Sequence, residues 1–293
     1  MSEVWKRLRE LGDTFTMAEI GATRELFVPG VLQPQAVGAA VTRDLSYGPD
    51  ARHRLDIFAP AAARSLPVVL FVHGGGFVGG DKGSEGDPFF NNVGAWAVRS
   101  GFIGVTMTYR LAPGHMWPAG AQDVDRALAW LHAQIARYGG DASRIVLMGH
   151  SAGAAHVAAC LARHGCIHGT RASAAAAIFV SGIYALDVYP DGYDYQVYYG
   201  ADRRLDAERS TVSALAKLDI PSLFTISEFD PVPFHRHLAA VFTARVQARG
   251  RCPAVLWQRG HNHVSVMMQI GSELDTAGNE LADFIRQLQS SAP

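Results

Sequence analysis

Cysteine is scarce in this 293-residue chain, and its three cysteines, Cys160, Cys166 and Cys252, show no CxxC spacing and cannot all pair with one another. A disulfide framework and a cysteine-held zinc ribbon are both excluded as the basis of the fold. Cys160 falls on the apolar side of a predicted helix and reads as a buried, reduced thiol. Long hydrophobic runs are missing too. The longest, Ala174 to Val180, has seven residues, whereas crossing a bilayer takes about 20, so no membrane span is expected. Charge of one sign is not in excess: Lys plus Arg number 26 and Asp plus Glu 27. No long-range field steers the molecule toward nucleic acid or an anionic membrane, and a small, roughly neutral partner is expected. The twelve histidines lack HExxH or a comparable ligand spacing, which predicts no metal. At the N-terminus, Glu3, Lys6, Arg7, Arg9 and Glu10 leave no room for the apolar core of a secretory signal, so the expected compartment is the cytoplasm.

What the chain does contain is core material. Hydrophobic residues make up 48% and charged residues 18%, a globular composition rather than a disordered one. With no internal repeat or linker-like tract, the reading is a single domain over 1–293. The recurring event is a short apolar run followed by Gly or Pro and then a stretch of helical period, which is the βα signature. Val41 to Tyr47 and His53 to Phe58 alternate apolar with polar residues around Gly48, Pro49 and Asp50, as an antiparallel hairpin does. Val68 to Val72, Phe102 to Thr108, Ile145 to Met148, Ala175 to Val180, Leu223 to Ile226 and Ala254 to Trp257 do not alternate. They read as strands covered on both faces, which parallel strands between helices must be. Val124, Leu128, Leu131 and Ile135 stripe one helix, and Leu274, Ala277, Leu281, Phe284 and Leu288 stripe the last. The fold class is α/β: about eight strands, mostly parallel, flanked by helices. Residues 1–38 and the tyrosine-rich insertion at 182–212 interrupt this rhythm and are expected to act as lid-like segments.

The chemistry concentrates at Gly149, His150, Ser151, Ala152 and Gly153, a GxSxG sequence between a predicted strand and a predicted helix over 152–163. Glycines on both sides let the chain bend sharply and push the serine hydroxyl clear of the sheet, at a helix N-terminus where amide N–H groups face developing negative charge. Upstream, the strand ending at Val72 runs into His73, Gly74, Gly75, Gly76 and Phe77. Consecutive glycines allow N–H groups to turn toward a carbonyl, which makes Gly75, Gly76 and Ala152 the expected oxyanion hole. The phosphate-loop spacing GxxxxGK[ST] is absent, and no cofactor is expected. His73 reads as a brace for the loop. A serine needs a base and the base needs a carboxylate, each just after a strand end. Asp230 follows one such strand, with Glu228 as the alternative acid. His263 follows the next, with His261 as the alternative base, read otherwise as a solvated loop residue or a contact behind the site.

HGGGF at 73–77, YRLAP at 109–113 followed by Trp117 and Pro118, GHSAG at 149–153, FDPV at 229–232 and the late Gly260 to His263 together resemble the α/β-hydrolase fold. Within it they are similar to the hormone-sensitive-lipase-like carboxylesterases and the related arylformamidase and feruloyl-esterase-like group, over about residues 40–290. GHSAGA in place of GDSAGG leans toward the latter group. The resemblance implies a serine hydrolase with Ser151 as nucleophile, Asp230 as acid and His263 as base, acting on a small-molecule ester. An amidase on the same triad and a catalytically silent binding protein are the alternatives. Phe77, Trp117, Tyr184 and Tyr189 are the expected pocket walls. A homo-oligomer is compatible with the sequence.

Overall fold

In the computed structural model, which describes residues 3–164, 174–188 and 195–290, eight strands form one sheet in the order β1-β2-β4-β3-β5-β6-β7-β8. The strands are β1 (Ala39–Ser46), β2 (Arg54–Pro60), β3 (Leu66–Val72), β4 (Ile103–Met107), β5 (Gly140–His150), β6 (Ala176–Val180), β7 (Ser222–Phe229) and β8 (Ala254–Asn262). β1 and β2 run antiparallel to their neighbours, and the pairs from β4 onward through β3, β5, β6, β7 and β8 are parallel. The antiparallel opening hairpin and the parallel body therefore stand as the alternation pattern predicts.

Side-chain parity decides which helix each strand residue meets. Val68, Leu70 and Val72 of β3 face a layer built from α4 (Ala119–Gln134) and α5 (Ala152–Leu161), where they pack with Val124, Leu128, Leu131 and Val157. Val69 and Phe71 point the other way, to Trp96 of α3 (Asn91–Arg99) and to Leu281 and Ile285 of α11 (Gly278–Ser290). Burying each such side chain contributes about 1.5–3 kcal/mol. Gly139, in the left-handed conformation at φ 81°, ends the turn after α4 and hands the chain to β5. The YRLAP segment is structural: Tyr109 donates to the His73 carbonyl at 2.9 Å, and Arg110 pairs with the buried Asp123 at 2.7 Å, which also holds His53.

Two expectations are corrected here. β8 is not covered on both faces, because it is the last strand of the sheet; Val255 is 38% and Trp257 53% exposed. The last helix starts at Gly278 rather than near Leu274, because the Asp275 carboxylate accepts the N–H groups of Ala277 and Gly278 and fixes the helix start.

The segment before β1 contains α1 (Glu3–Leu11) and α2 (Met17–Phe27), the latter opened by a Thr16/Glu19 capping box. It docks on the end of β8: Trp5 meets His261 edge-on at 4.8 Å, Thr23 accepts a 2.8 Å hydrogen bond from Asn262, and Phe15 stands 4.6 Å from the His263 ring. Within the tyrosine-rich insertion, the described residues form short helices α6 (Gln196–Tyr199) and α7 (Asp206–Arg209), and α8 (Val212–Ala216) begins at its last residue. α9 (Val232–Arg249) follows β7, and α10 (Ser265–Met268) follows β8. Cys166, Tyr189 and Tyr193 lie outside the described residues. Among those described, Cys160 is buried, and no helix is long and apolar enough to cross a membrane.

Candidate active site

Ser151 occupies the turn between β5 and α5 with φ 55° and ψ −121°, a conformation side-chain-bearing residues rarely adopt. Its surroundings hold it there. The Ser151 N–H donates to the Val180 carbonyl at 2.9 Å, and its carbonyl accepts from Ala155 at 3.2 Å. A Cβ at Gly153 would sit 2.1 Å from the Val72 carbonyl oxygen, and one at Gly74 would sit 3.1 Å from Ser151 Cβ. The glycines thus let the serine turn, the end of β3 and the loop after β3 press together. Gly153→Ala forces backbone to move, at a cost of about 1–3 kcal/mol, and a shift of about 1 Å at Ser151 costs on the order of 10²-fold in rate. Thermal melts and kcat of this variant check the point; wild-type values in both would contradict it.

The loop after β3 exposes donors. Gly75 (φ 139°) and Gly76 (φ 59°) adopt conformations open to glycine, and the Gly75 carbonyl accepts from Val78 and Gly79. The N–H groups of Gly75, Gly76 and Ala152 have no hydrogen-bond partner among the described residues. His73 braces this loop from below: its Nδ1–H donates to the Gly74 carbonyl at 2.7 Å and its ring stacks on Tyr109 at 4.4 Å.

Two residues from far along the chain meet beside the serine. His263 Nε2 lies 2.9 Å from Ser151 Oγ, and its Nδ1 lies 2.6 Å from Asp230 Oδ1. Because a carboxylate only accepts, Nδ1 carries the proton and Nε2 is left as the acceptor for the serine hydroxyl. The other carboxylate oxygen, Asp230 Oδ2, accepts from Ser181 Oγ and from the Ser227 N–H, both at 2.6 Å. Burial alone would push the Asp230 carboxyl up; the hydrogen bond from His263, that residue's charge and the Ser181 and Ser227 donors outweigh it, and the group is held below the usual carboxylate range. Ser151 is 6% exposed, and His263 and Asp230 are 2% exposed each. Phe15 and Phe234 stand against the imidazole at 4.6 and 4.1 Å.

The alternatives are elsewhere. Glu228 accepts the Gly260 N–H at 2.7 Å and shapes the β8 bend. His261 is fully buried rather than solvated, with Nδ1 3.0 Å from Ser265 Oγ and Nε2 3.2 Å from Thr276 Oγ1, and burial pushes its pKa down to about 4. Alternation along a strand explains the choice, since neighbours two apart share a face but only the residue past the strand end clears it.

The expected pocket walls fare differently. Tyr184 is a core residue: its hydroxyl lies against Gly182, and its ring packs edge-on against Phe179 and Phe224 at 5.9 and 5.8 Å. Phe77 is buried and stacked flat on Tyr198 at 4.4 Å, with Tyr195 and Tyr199 edge-on around it. Trp117 joins that cluster through a hydrogen bond from its backbone N–H to the Tyr198 carbonyl, with Arg209 over its ring at 5.5 Å. The described tyrosines of the insertion therefore pack inward, and Tyr184, Tyr198 and Tyr199 have hydroxyls whose pKa burial pushes up. Tyr189 lies outside the described residues.

Two further residues shape the site and were not singled out from the sequence. His150 donates from Nε2 to the His263 carbonyl at 2.8 Å, and burial, then the nearby His263, push its pKa down to about 3. Ser181 is the first residue past β6, so the rule that functional groups gather at the carboxyl ends of strands points to it. A cleft of about 530 Å³ between α8 and α9 is lined by Val212, Lys217 and Ala244 and contains none of these residues; mutual hydrogen-bond geometry locates chemistry better than cleft size does.

A serine, an acid and a histidine carried in that chain order by the ends of β5, β7 and β8 define the α/β-hydrolase fold. Solved structures agree on the fold. Esterase B from Lactobacillus rhamnosis superposes with a TM-score of 0.76 at 17% identity, covering 98% of this chain and 95% of that one. The hyperthermophilic esterase from Pyrobaculum calidifontis gives 0.67 at 21% identity, covering 99% of each. The chain belongs to the prolyl oligopeptidase family, whose profile matches residues 116–289, more than half of its length. A BD-FAE profile matches residues 55–173. Among curated proteins, Esterase LipQ of Mycobacterium tuberculosis is 38% identical over 138 residues, 46% of this chain and 32% of that protein. Human bile salt-activated lipase is 35% identical over 136 residues, 41% of this chain and 18% of that protein. The matched stretch thus spans a third or less of these relatives.

Proposed function

We propose that this chain is a serine hydrolase of the carboxylesterase type, one α/β-hydrolase domain that cleaves esters of small, roughly neutral acyl or aromatic groups through an acyl-enzyme. The observation that carries the proposal is the unbroken hydrogen-bonded relay from Ser151 Oγ through the His263 ring to Asp230. His263 Nε2 takes the hydroxyl proton as Ser151 Oγ attacks the ester carbonyl carbon; Asp230 holds the ring and stabilises the imidazolium. The N–H groups of Gly75, Gly76 and Ala152 stabilise the oxyanion. Collapse of the tetrahedral intermediate breaks the acyl C–O bond, and His263 returns the proton to the leaving alcohol. Water then repeats the sequence on the acyl-serine. The esterase names of the curated relatives and the apolar faces of Phe15 and Phe234 support the ester reading.

A substrate panel tests it: short and long p-nitrophenyl esters beside a feruloyl ester and an N-formyl aryl amide. Hydrolysis of esters in preference to the amide is expected; the reverse order would make the chain an amidase, and no turnover of any member would overturn the reading. The base is tested separately. His263→Ala lowers kcat by roughly 10³ to 10⁶, whereas His261→Ala, which removes a brace, retains kcat within about tenfold. An active His263→Ala beside a dead His261→Ala would reverse the assignment.

A further inference from the structure

We propose that Ser181 is a positioning residue of this site, a fourth side chain whose hydroxyl keeps the Asp230 carboxylate ionised and aimed at His263. The inference rests on the ester-hydrolase reading and extends it. Ser181 follows β6 directly, is 1% exposed, and sits at φ 45° in the left-handed region, where glycine is favoured and serine is strained. Its N–H donates to the Thr225 carbonyl at 3.0 Å, which ties this bend to the strand that carries Asp230. Its hydroxyl donates to Asp230 Oδ2 at 2.6 Å. Gly182 comes next, so a residue free of strain is available one position away while the hydroxyl-bearing one takes the bend. Apart from the His263 ring, Ser181 is the one side chain that donates to this carboxylate among the described residues; the remaining donor is the Ser227 backbone.

The physical consequence concerns the Asp230–His263 pair as a unit. Its reactive form has a neutral imidazole and a bare carboxylate, a net negative charge buried from water. A donor to Oδ2 stabilises that form more than the protonated pair, in which the imidazolium already compensates the carboxylate. Removing the hydroxyl therefore raises the pH needed to reach the reactive form. The other titratable groups facing the pair are His150, with its ring 4.9 Å from that of His263, His235, with Nε2 3.1 Å from the Asp230 carbonyl, and the Tyr184 phenol. Phe15 and Phe234 stand against the imidazole ring.

Ser181→Ala keeps the Cβ that fills the bend and deletes the donor; Ser181→Gly also relieves the strain and serves if the alanine variant does not fold. With rates normalised to active-site titre, kcat on a p-nitrophenyl ester falls about 10- to 100-fold, as for loss of a hydrogen bond to a charged group, while KM is unchanged. The acid limb of kcat/KM moves up by roughly half a pH unit or more. A purely structural serine would lower thermal stability and leave normalised kcat and the limb in place, and that result overturns the proposal. Should the wild type hydrolyse no ester, the ester-hydrolase reading fails by itself. The NMR titration of the imidazole C–H signals still decides the role of Ser181: an upward shift in the variant supports it, and an unmoved midpoint overturns it.

Discussion

Replacing Ser151 with alanine abolishes ester hydrolysis without unfolding the protein: kcat drops by roughly 10³ to 10⁶, and the melting temperature stays near that of the wild type. The two halves of the expectation have separate causes. Ser151 Oγ makes its hydrogen bond to His263, and no packing contact of the core depends on that oxygen. Alanine and serine have the same backbone restriction at φ 55°, so the bend is as strained after the substitution as before. The donors of the oxyanion hole and the His263–Asp230 pair stay in place, which is why activity well above that of water is expected to remain. Turnover within tenfold of the wild type would mean that another nucleophile does the work. A collapsed melting temperature would mean that the hydroxyl is structural.

The second large effect is acid lability, and it follows from histidines outside the reacting pair as much as from those beside it. Burial pushes the pKa of His73, His150, His156 and His237 down to about 3, and that of His261 to about 4. In the unfolded chain these rings titrate near 6.5. Below that value the unfolded state binds protons that the folded state refuses, so stability is intact above about pH 6.5 and is lost as the pH falls toward the folded values. Each ring contributes about 1.4 kcal/mol per pH unit in that window, and five together on the order of 7 kcal/mol per unit. Against a typical total of about 5–15 kcal/mol, unfolding near pH 5 is expected. Asp230 adds to the loss further down: its depressed pKa makes its contribution full above the ordinary carboxylate range and removes it as the pH falls through the folded value. Circular-dichroism melts from pH 8 to pH 4.5 measure this. A fall of roughly 15 °C or more between pH 7 and pH 5.5 is the expected result; a flat curve would show that the rings accept protons in place.

How much of this was legible beforehand depends on whether a feature is written locally. The bend at Ser151 is local: glycines at 149 and 153 flank it between an apolar strand and a helical period, and both serve close backbone approaches that any Cβ would block. The existence of the strands is local too, since short apolar runs bounded by Gly or Pro mark them. Edge position is not. Val255 and Trp257 read as buried because β-branched and aromatic residues populate strands of either kind, and only the sheet order exposes them. Tyr184 was misplaced for a related reason. A tyrosine in an insertion at the sheet's carboxyl end suggests a pocket, yet the ring is buried against Phe179 and Phe224 with its hydroxyl against Gly182. Ser181 belongs to no motif, and His150 is a variable position of GxSxG. Each earns its place by a single hydrogen bond to a partner 49 or 113 residues away, and no periodicity encodes a contact of that span.

The most direct test of the central claim is to label the wild-type protein with a fluorophosphonate probe and locate the adduct by mass spectrometry of its peptides. One adduct per chain is expected, on Ser151, with ester hydrolysis lost in step with labelling and the adduct missing from His263→Ala over the same incubation. An adduct on a different residue, or full ester hydrolysis by protein that the probe leaves unmodified, would contradict it.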